Sequence, residues 1–345
     1  MNEYEIKEYE FEDNLQEDFI SLMKTIYDGY TYRDYHIAVI KKTISKRNPS
    51  FGFVTIRNFI AYKEGIVVGH ISAIIDKRQK DNNSLIGIIG FYECIDDDKI
   101  SSLLINKAID YLHENKCVRI RGPINVSIWS TYRFVVDQKD NDSFILEPLT
   151  KNYYIKQFSN EGFKVIEKYG SAQRIDFNTI LPFVKTDYEF ILNEGYNIKT
   201  LDKDNFTQGI LSIKEMVQEI FRDSNSFIEI SKGEYLYLYE DYERMLDQTF
   251  IQIISNSDGR DVGFCTSIID PLQKQTIVLK TIGVLPEYQG KRVGAALLYE
   301  QHKKAQELGA TKEIYALIKI GNIITKLPYP GIEVIRKYVL MEKDL

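Results

Sequence analysis

The chain has 345 residues, 44% apolar and 27% charged. That is a globular composition, with room for two domains of about 150 residues each and none for a collagen-like or disordered class. Fifty acidic side chains against 44 basic ones leave a net charge of −6, shared by both halves, which argues against nucleic-acid backbones and anionic membranes as partners.

In chain order, helical periodicity covers 11–26, and strand-like runs follow at 59–62, 67–75 and 85–92. A helix is expected at 99–114 and a strand at 118–121. Residues 178–195 match no repeated element and read as a junction, with at most a short element of their own. Ile210, Ile213, Met216, Val217 and Ile220 give 206–221 one apolar helical face. Strands at 251–254 and 262–269 flank the turn sequence SNSDGR, and a third at 276–284 is closed by Pro286. A helix at 292–307 stops at Gly309, and strands at 314–318 and 334–341 complete the chain.

The second half repeats the first. GIVVGHISAIID at 65–76 resembles GRDVGFCTSIID at 259–270, and the same register pairs Ile88 with Ile282, Leu104 with Leu298 and Ile120 with Ile314. GFKVIEKY at 162–169 matches GIEVIRKY at 331–338 in a shorter register, so the second half has lost residues between Ala316 and Gly331. Each half is an α+β unit.

The chemistry points to TIGVLPEYQGKRVGAALL at 281–298. A strand ends here, and a polar turn opens into an apolar-faced helix. The first amides of a helix lack intrahelical partners and carry the positive end of its dipole. Gly290, Gly294 and Ala295 let a ligand approach that backbone, and Lys291 and Arg292 add charge: an anion cradle suited to a pyrophosphate. Neither a Walker loop nor a G-x-G-x-x-G is present.

This strand, turn and helix resemble the acyl-CoA-binding motif of the GNAT superfamily of N-acyltransferases, whose pattern is Gln/Arg-x-x-Gly-x-Gly/Ala. Gln289 and Gly294 match, while Arg292 stands at the first glycine, a substitution expected to be unstrained at a helix start. The resemblance implies two GNAT-like lobes, each a mixed, largely antiparallel sheet flanked by helices. The first, at 1–180, is degenerate and lacks the CoA loop; the second, at 181–345, binds acyl-CoA. It implies contacts to acetyl-CoA from Ile282, Gly283, Val284, Gln289, Gly290, Lys291, Arg292, Val293, Gly294, Ala295 and Asn322. Asn322, Thr325 and Tyr329 have the spacing of a further family signature, which makes Tyr329 the general acid for the departing sulfur. No carboxylate lies on the 276–284 strand, so no side chain is assigned as base and an ordered water is the default.

In the first half IDDDKI at 95–100 replaces QGKRVG at 289–294. Three aspartates repel a pyrophosphate and suit helix capping. The expected activity is transfer of an acetyl group from acetyl-CoA to a primary amine of a small molecule, in a ternary complex. The alternative is a non-catalytic acyl-CoA-binding regulatory or interaction module. EYLYLYEDYE at 234–243, with four tyrosines and four acids, could face an ammonium group, or could be an amphipathic helix with packed tyrosines. Trp129, the only tryptophan, could line a pocket between the lobes or pack them together. Cys94, Cys117 and Cys265 have no pairing pattern, the four histidines no ligand spacing, and the N-terminus no secretory signal. No metal is expected, and a cytoplasmic location is.

Overall fold

The computed structural model describes residues 4–11, 14–136, 143–245, 249–321 and 331–345. The first half runs β1 (Tyr4–Tyr9), α1 (Leu15–Ile26), α2 (Arg33–Thr43), β2 (Val54–Lys63), β3 (Ile66–Asp81), β4 (Ser84–Cys94), α3 (Asp98–Glu114), β5 (Cys117–Gly122), β6 (Phe134–Val135), α4 (Tyr154–Asn160) and β7 (Lys164–Arg174). The second runs α5 (Phe177–Asn193), β8 (Asn197–Thr200), α6 (Phe206–Ser212), α7 (Lys214–Phe221), α8 (Lys232–Arg244), β9 (Thr249–Ser255), β10 (Asp261–Ile269), β11 (Thr276–Val284), α9 (Val293–Glu307), β12 (Lys312–Lys319) and β13 (Glu333–Asp344).

The strands form one continuous sheet in the order β1-β2-β3-β4-β5-β13-β7-β12-β11-β10-β9-β8, with β6 attached to β13. Hairpins make most pairs antiparallel; β4–β5 and β11–β12 are parallel because a helix, α3 or α9, connects them. The two halves are related across the β13–β7 ladder, where the repeat equivalents Tyr169 and Tyr338 pair with each other. β13 pairs with β5 of the first half, and β7 with β12 of the second. Each half's sheet is thus finished by the last strand of the other.

Two expectations need correction. The 206–221 helix is two helices, because the chain breaks at Ile213 between α6 and α7. The 178–195 junction is a 17-residue helix, α5, whose only proline lies in its N-terminal half. It lies on α9 with the Tyr188 and Tyr299 ring centres 4.4 Å apart. Its apolar positions Phe177, Ile180, Val184 and Ile191 are buried and have helical spacing. The described residues of the first half show no equivalent, so a search for repeats passes over it.

Candidate functional site in the second half

The parallel pairing of β11 with β12 runs from Thr276–Lys312 to Leu279–Tyr315 and stops there, although both strands continue. Lys280 is an extra residue in the ladder with β10, which shifts register between Thr266 and Ser267. Such a bulge bends a strand. Across the gap, β12 turns to β7, with a register shift between Tyr315 and Ile318 and Leu317 at φ +58°. The sheet therefore opens into a V whose apex lies beside Lys280.

Ile282, Gly283 and Val284 form the β11 arm of that V. Gly283 owes its identity to packing, since a Cβ there would lie 3.0 Å from Ile220 and Phe264. After β11 the chain makes a single 3-10 turn at Pro286–Tyr288. Gln289 turns back, its Nε2 donating to the Val284 carbonyl at 3.1 Å. Gly290 then takes φ +73° in open space. Lys291 and Arg292 are exposed, whereas Val293 is buried and anchors the helix in the core. No side chain caps α9, and its first backbone bond runs from the Ala296 amide to the Arg292 carbonyl. A Cβ at Gly294 would meet only Val284, at 3.8 Å, so the fold does not require glycine there.

Arg292 departs from its sequence-based expectation. It is not a helical residue but a left-handed N-cap at φ +68°, ψ −5°, where a Cβ costs about 1–2 kcal/mol. The family's glycine at this position has that physical reason. Here the side chain is tied down by Asp187 at 3.5 Å and by the Phe190 ring at 4.4 Å, both on α5.

The first half has the same V, and it is closed. The Ile124 amide donates to the Ile89 carbonyl at 2.9 Å, and Asn125 Oδ1 accepts from the Phe91 amide at 2.7 Å. A Cβ on Gly90 would sit 2.2 Å from the Ile124 oxygen. What remains is a cavity of about 30 Å³ that Glu93 and His36 help to line, room for water and none for a pantetheine arm. At the helix start Asp97 accepts from the Lys99 and Ile100 amides, at 2.9 and 3.1 Å, so a carboxylate of the chain occupies the place of a pyrophosphate.

The tyrosine-acid segment is α8, and its acids are already engaged. Glu234 pairs with Arg78 at 3.0 Å, Glu240 with Arg47 at 3.1 Å and Asp241 with Lys42 at 2.6 Å. These are ties to the first half, not an ammonium site. Tyr235 and Tyr242 are buried. Trp129 also joins the halves: its Nε1 donates to the Ile228 carbonyl at 3.0 Å, and its ring meets Phe221 and Phe227 edge-on. Asn322, Thr325 and Tyr329 lie outside the described residues. Sequence reading passed over Lys280, the bulged residue at the apex of the V, whose signal is the lone charge in its strand.

Residues 214–324 match the acetyltransferase (GNAT) family. That match lies in the second half, and over its whole length the chain has the fold of tandem GNAT structures. The tandem GNAT protein from the clavulanic acid biosynthesis pathway aligns over 99% of this chain and 98% of its own, with TM-score 0.60 and 12% identity. The glucosamine N-acetyltransferase region of a fungal multi-domain β-N-acetylglucosaminidase aligns over 99% of this chain and 38% of its own, with TM-score 0.62 and 12% identity. Among curated sequences, the bacterial ceramide synthase of Caulobacter vibrioides is 23% identical over 220 residues, 63% of this chain and 57% of that protein. This chain spans little more than half the length of that relative. Among the described residues no group of three or more His, Cys, Asp or Glu could hold a metal, and no helix is long and apolar enough to cross a membrane.

Proposed function

We propose that the second half binds acetyl-CoA, with its pyrophosphate on the amides of Val293, Gly294 and Ala295 and its pantetheine arm in the β11–β12 opening. The acetyl group passes directly to the primary amine of a small molecule. One contrast carries this reading: among the described residues nothing bridges the V or caps the helix start in the second half, while the equivalent features of the first are filled and capped by the chain itself. A ceramide is an N-acylated amino alcohol, so the name of the Caulobacter relative fits transfer to an amine.

Direct transfer is favoured over a cysteine-bound intermediate. All three thiols are buried, and burial pushes Cys94 up to about 12, Cys117 up to about 11 and Cys265 further still. None is a thiolate at neutral pH. Holding amine and thioester together supplies much of the acceleration, and backbone amides near Ile282 to Val284 would stabilise the oxyanion. An ordered water takes the proton from the amine, Asn322 contributes to CoA binding, and Tyr329 protonates the departing sulfur.

The test is thiol release from acetyl-CoA across a panel of amines, alongside calorimetric CoA affinity. Tyr329→Phe is expected to lower kcat by about tenfold or more with CoA affinity unchanged. CoA binding without release on any amine would instead support a regulatory module.

A further inference from the structure

Lys280 is the residue at which the sheet of the second half comes apart. It is the bulged position of β11 and directly follows Leu279, the last residue of that strand to pair with β12. Burial changes at the same level on both strands. On β11, Thr276 to Leu279 are buried, while Lys280, Thr281 and Ile282 are partly exposed. On β12, Glu313 to Ala316 are buried, while Leu317 and Ile318 are partly exposed. Lys280 therefore stands where the opening begins. It is the only charged side chain of its strand, on a bulge, a device that re-aims a side chain. In the register that pairs Ile88 with Ile282, its counterpart in the closed half is Ile86, which is 1% exposed.

Among the described residues no carboxylate pairs with Lys280, although other cations between the halves are neutralised. Arg78 has Asp76 and Glu234, Arg336 has Glu147, and Lys319 has Glu167. What lies against Lys280 is aromatic: Nζ is 5.2 Å from the centre of the Tyr242 ring on α8. Burial holds its ammonium below the usual lysine range, with Tyr239 opposing and the charge of Arg133 adding to the effect. A partly buried lysine without a counter-charge gives up its proton readily, which makes it a base.

We infer that Lys280 is the proton acceptor of the transfer, receiving through the ordered water the proton that the acceptor's ammonium must lose before its nitrogen can attack. The inference rests on the acyltransferase reading above and supplies that water with a side chain to which it passes the proton. The ammonium gives one proton to the water, and the water gives one to Lys280 Nζ. The freed lone pair forms the C–N bond, and the C–S bond breaks. The sulfur takes the proton that the same reading assigns to Tyr329, and the second proton shed by the nitrogen replaces it. Lys280 returns its own proton to solvent before the next turnover. Such a base serves an acceptor that arrives as an alkylammonium. An amine already uncharged near neutrality has no use for it.

Two acceptors that differ in this need test the proposal: a primary alkylamine, and methoxyamine, which is uncharged near neutrality. Lys280→Met removes the amine, and Lys280→Arg keeps a charge that cannot be given up. Each should lower kcat on the alkylamine by about a hundredfold or more and leave kcat on methoxyamine nearly unchanged. The wild-type kcat on the alkylamine should rise with pH through a limb below the usual lysine range, and both variants should lack that limb. Full activity in Lys280→Arg, or equal losses on both acceptors, overturns the proposal. A second readout needs no turnover. Wild-type protein is labelled with traces of acetic anhydride at graded pH, and the peptide carrying Lys280 is followed by mass spectrometry. Its labelling should set in at lower pH than that of the exposed lysines, and saturating CoA should suppress it. Labelling in step with the exposed lysines, or indifferent to CoA, overturns the role of Lys280 alone. Early, CoA-shielded labelling without acylation of any amine overturns the acyltransferase reading, and this step with it.

Discussion

At single residues, the site turns on which positions leave the backbone clear. Gly294 contacts nothing closer than Val284, so Gly294→Glu should keep the fold and the melting temperature while abolishing CoA binding, by steric block and by charge at the helix start. Unchanged CoA affinity by calorimetry would refute the cradle. Arg292→Gly removes the left-handed penalty of about 1–2 kcal/mol and loses a half-exposed ion pair worth about 0–1 kcal/mol. The urea midpoint should stay level or rise, and a clear fall would mean the contacts with Asp187 and Phe190 outweigh the strain. Buried titratable groups in the first half set a pH optimum. Burial lowers His36 to about 4 and His70 to about 3, so both stay neutral in the fold and protonate first in the unfolded chain. Their contribution is lost as pH falls below about 6.5. Burial raises Glu93 to about 8, so the folded chain holds its proton longer and that contribution is lost as pH rises from about 4.5 to 8. Urea midpoints should peak near pH 6.5, and Glu93→Gln should flatten the alkaline side and steepen the rise between about pH 4.5 and 6.5.

At the level of elements, α8 is the tie between the halves. Glu234 is 3% exposed, answers Arg78, and forms a capping box with Ser231. Glu234→Ala leaves Arg78 to Asp76 alone and uncaps the helix, and should cost about 1–3 kcal/mol. Glu240→Ala, whose partner Arg47 is 72% exposed, should cost under about 1 kcal/mol. Similar losses for both in urea unfolding would show that burial of Glu234 is not what matters. α8 also shows why an acidic, tyrosine-rich stretch misleads. Its residues specify an amphipathic helix with a polar face, and the basic residues that meet that face are distant in sequence.

For the whole molecule, the exchange of last strands makes the halves interdependent. Without β13, the first half ends at an unpaired β5 edge; without β7, the second half ends at β12. Exposed edges of long strands invite aggregation. Residues 1–180 or 181–345 expressed alone are expected to be insoluble or oligomeric, and coexpressed to give a 1:1 complex by size-exclusion chromatography. A monomeric, cooperatively unfolding fragment from either half would contradict this.

The amino-acid sequence by itself determined what is local or repeated. The β-rich runs, the two connecting helices, the glycine turn before α9 and the aspartate cap before α3 depend on periodicity, turn chemistry and capping, all carried by neighbouring residues. It also set the two equivalent helix starts apart, one with glycines and two cations, the other with three aspartates. Tertiary structure alone decided the rest. The left-handed backbone of Arg292 is imposed by the turn that leads β11 into α9. The exchange of β7 and β13 is a choice between strands of nearly the same sequence, which pattern cannot distinguish. The open and closed V depend on whether a segment far along the chain folds back into the gap, as Ile124 and Asn125 do in the first half.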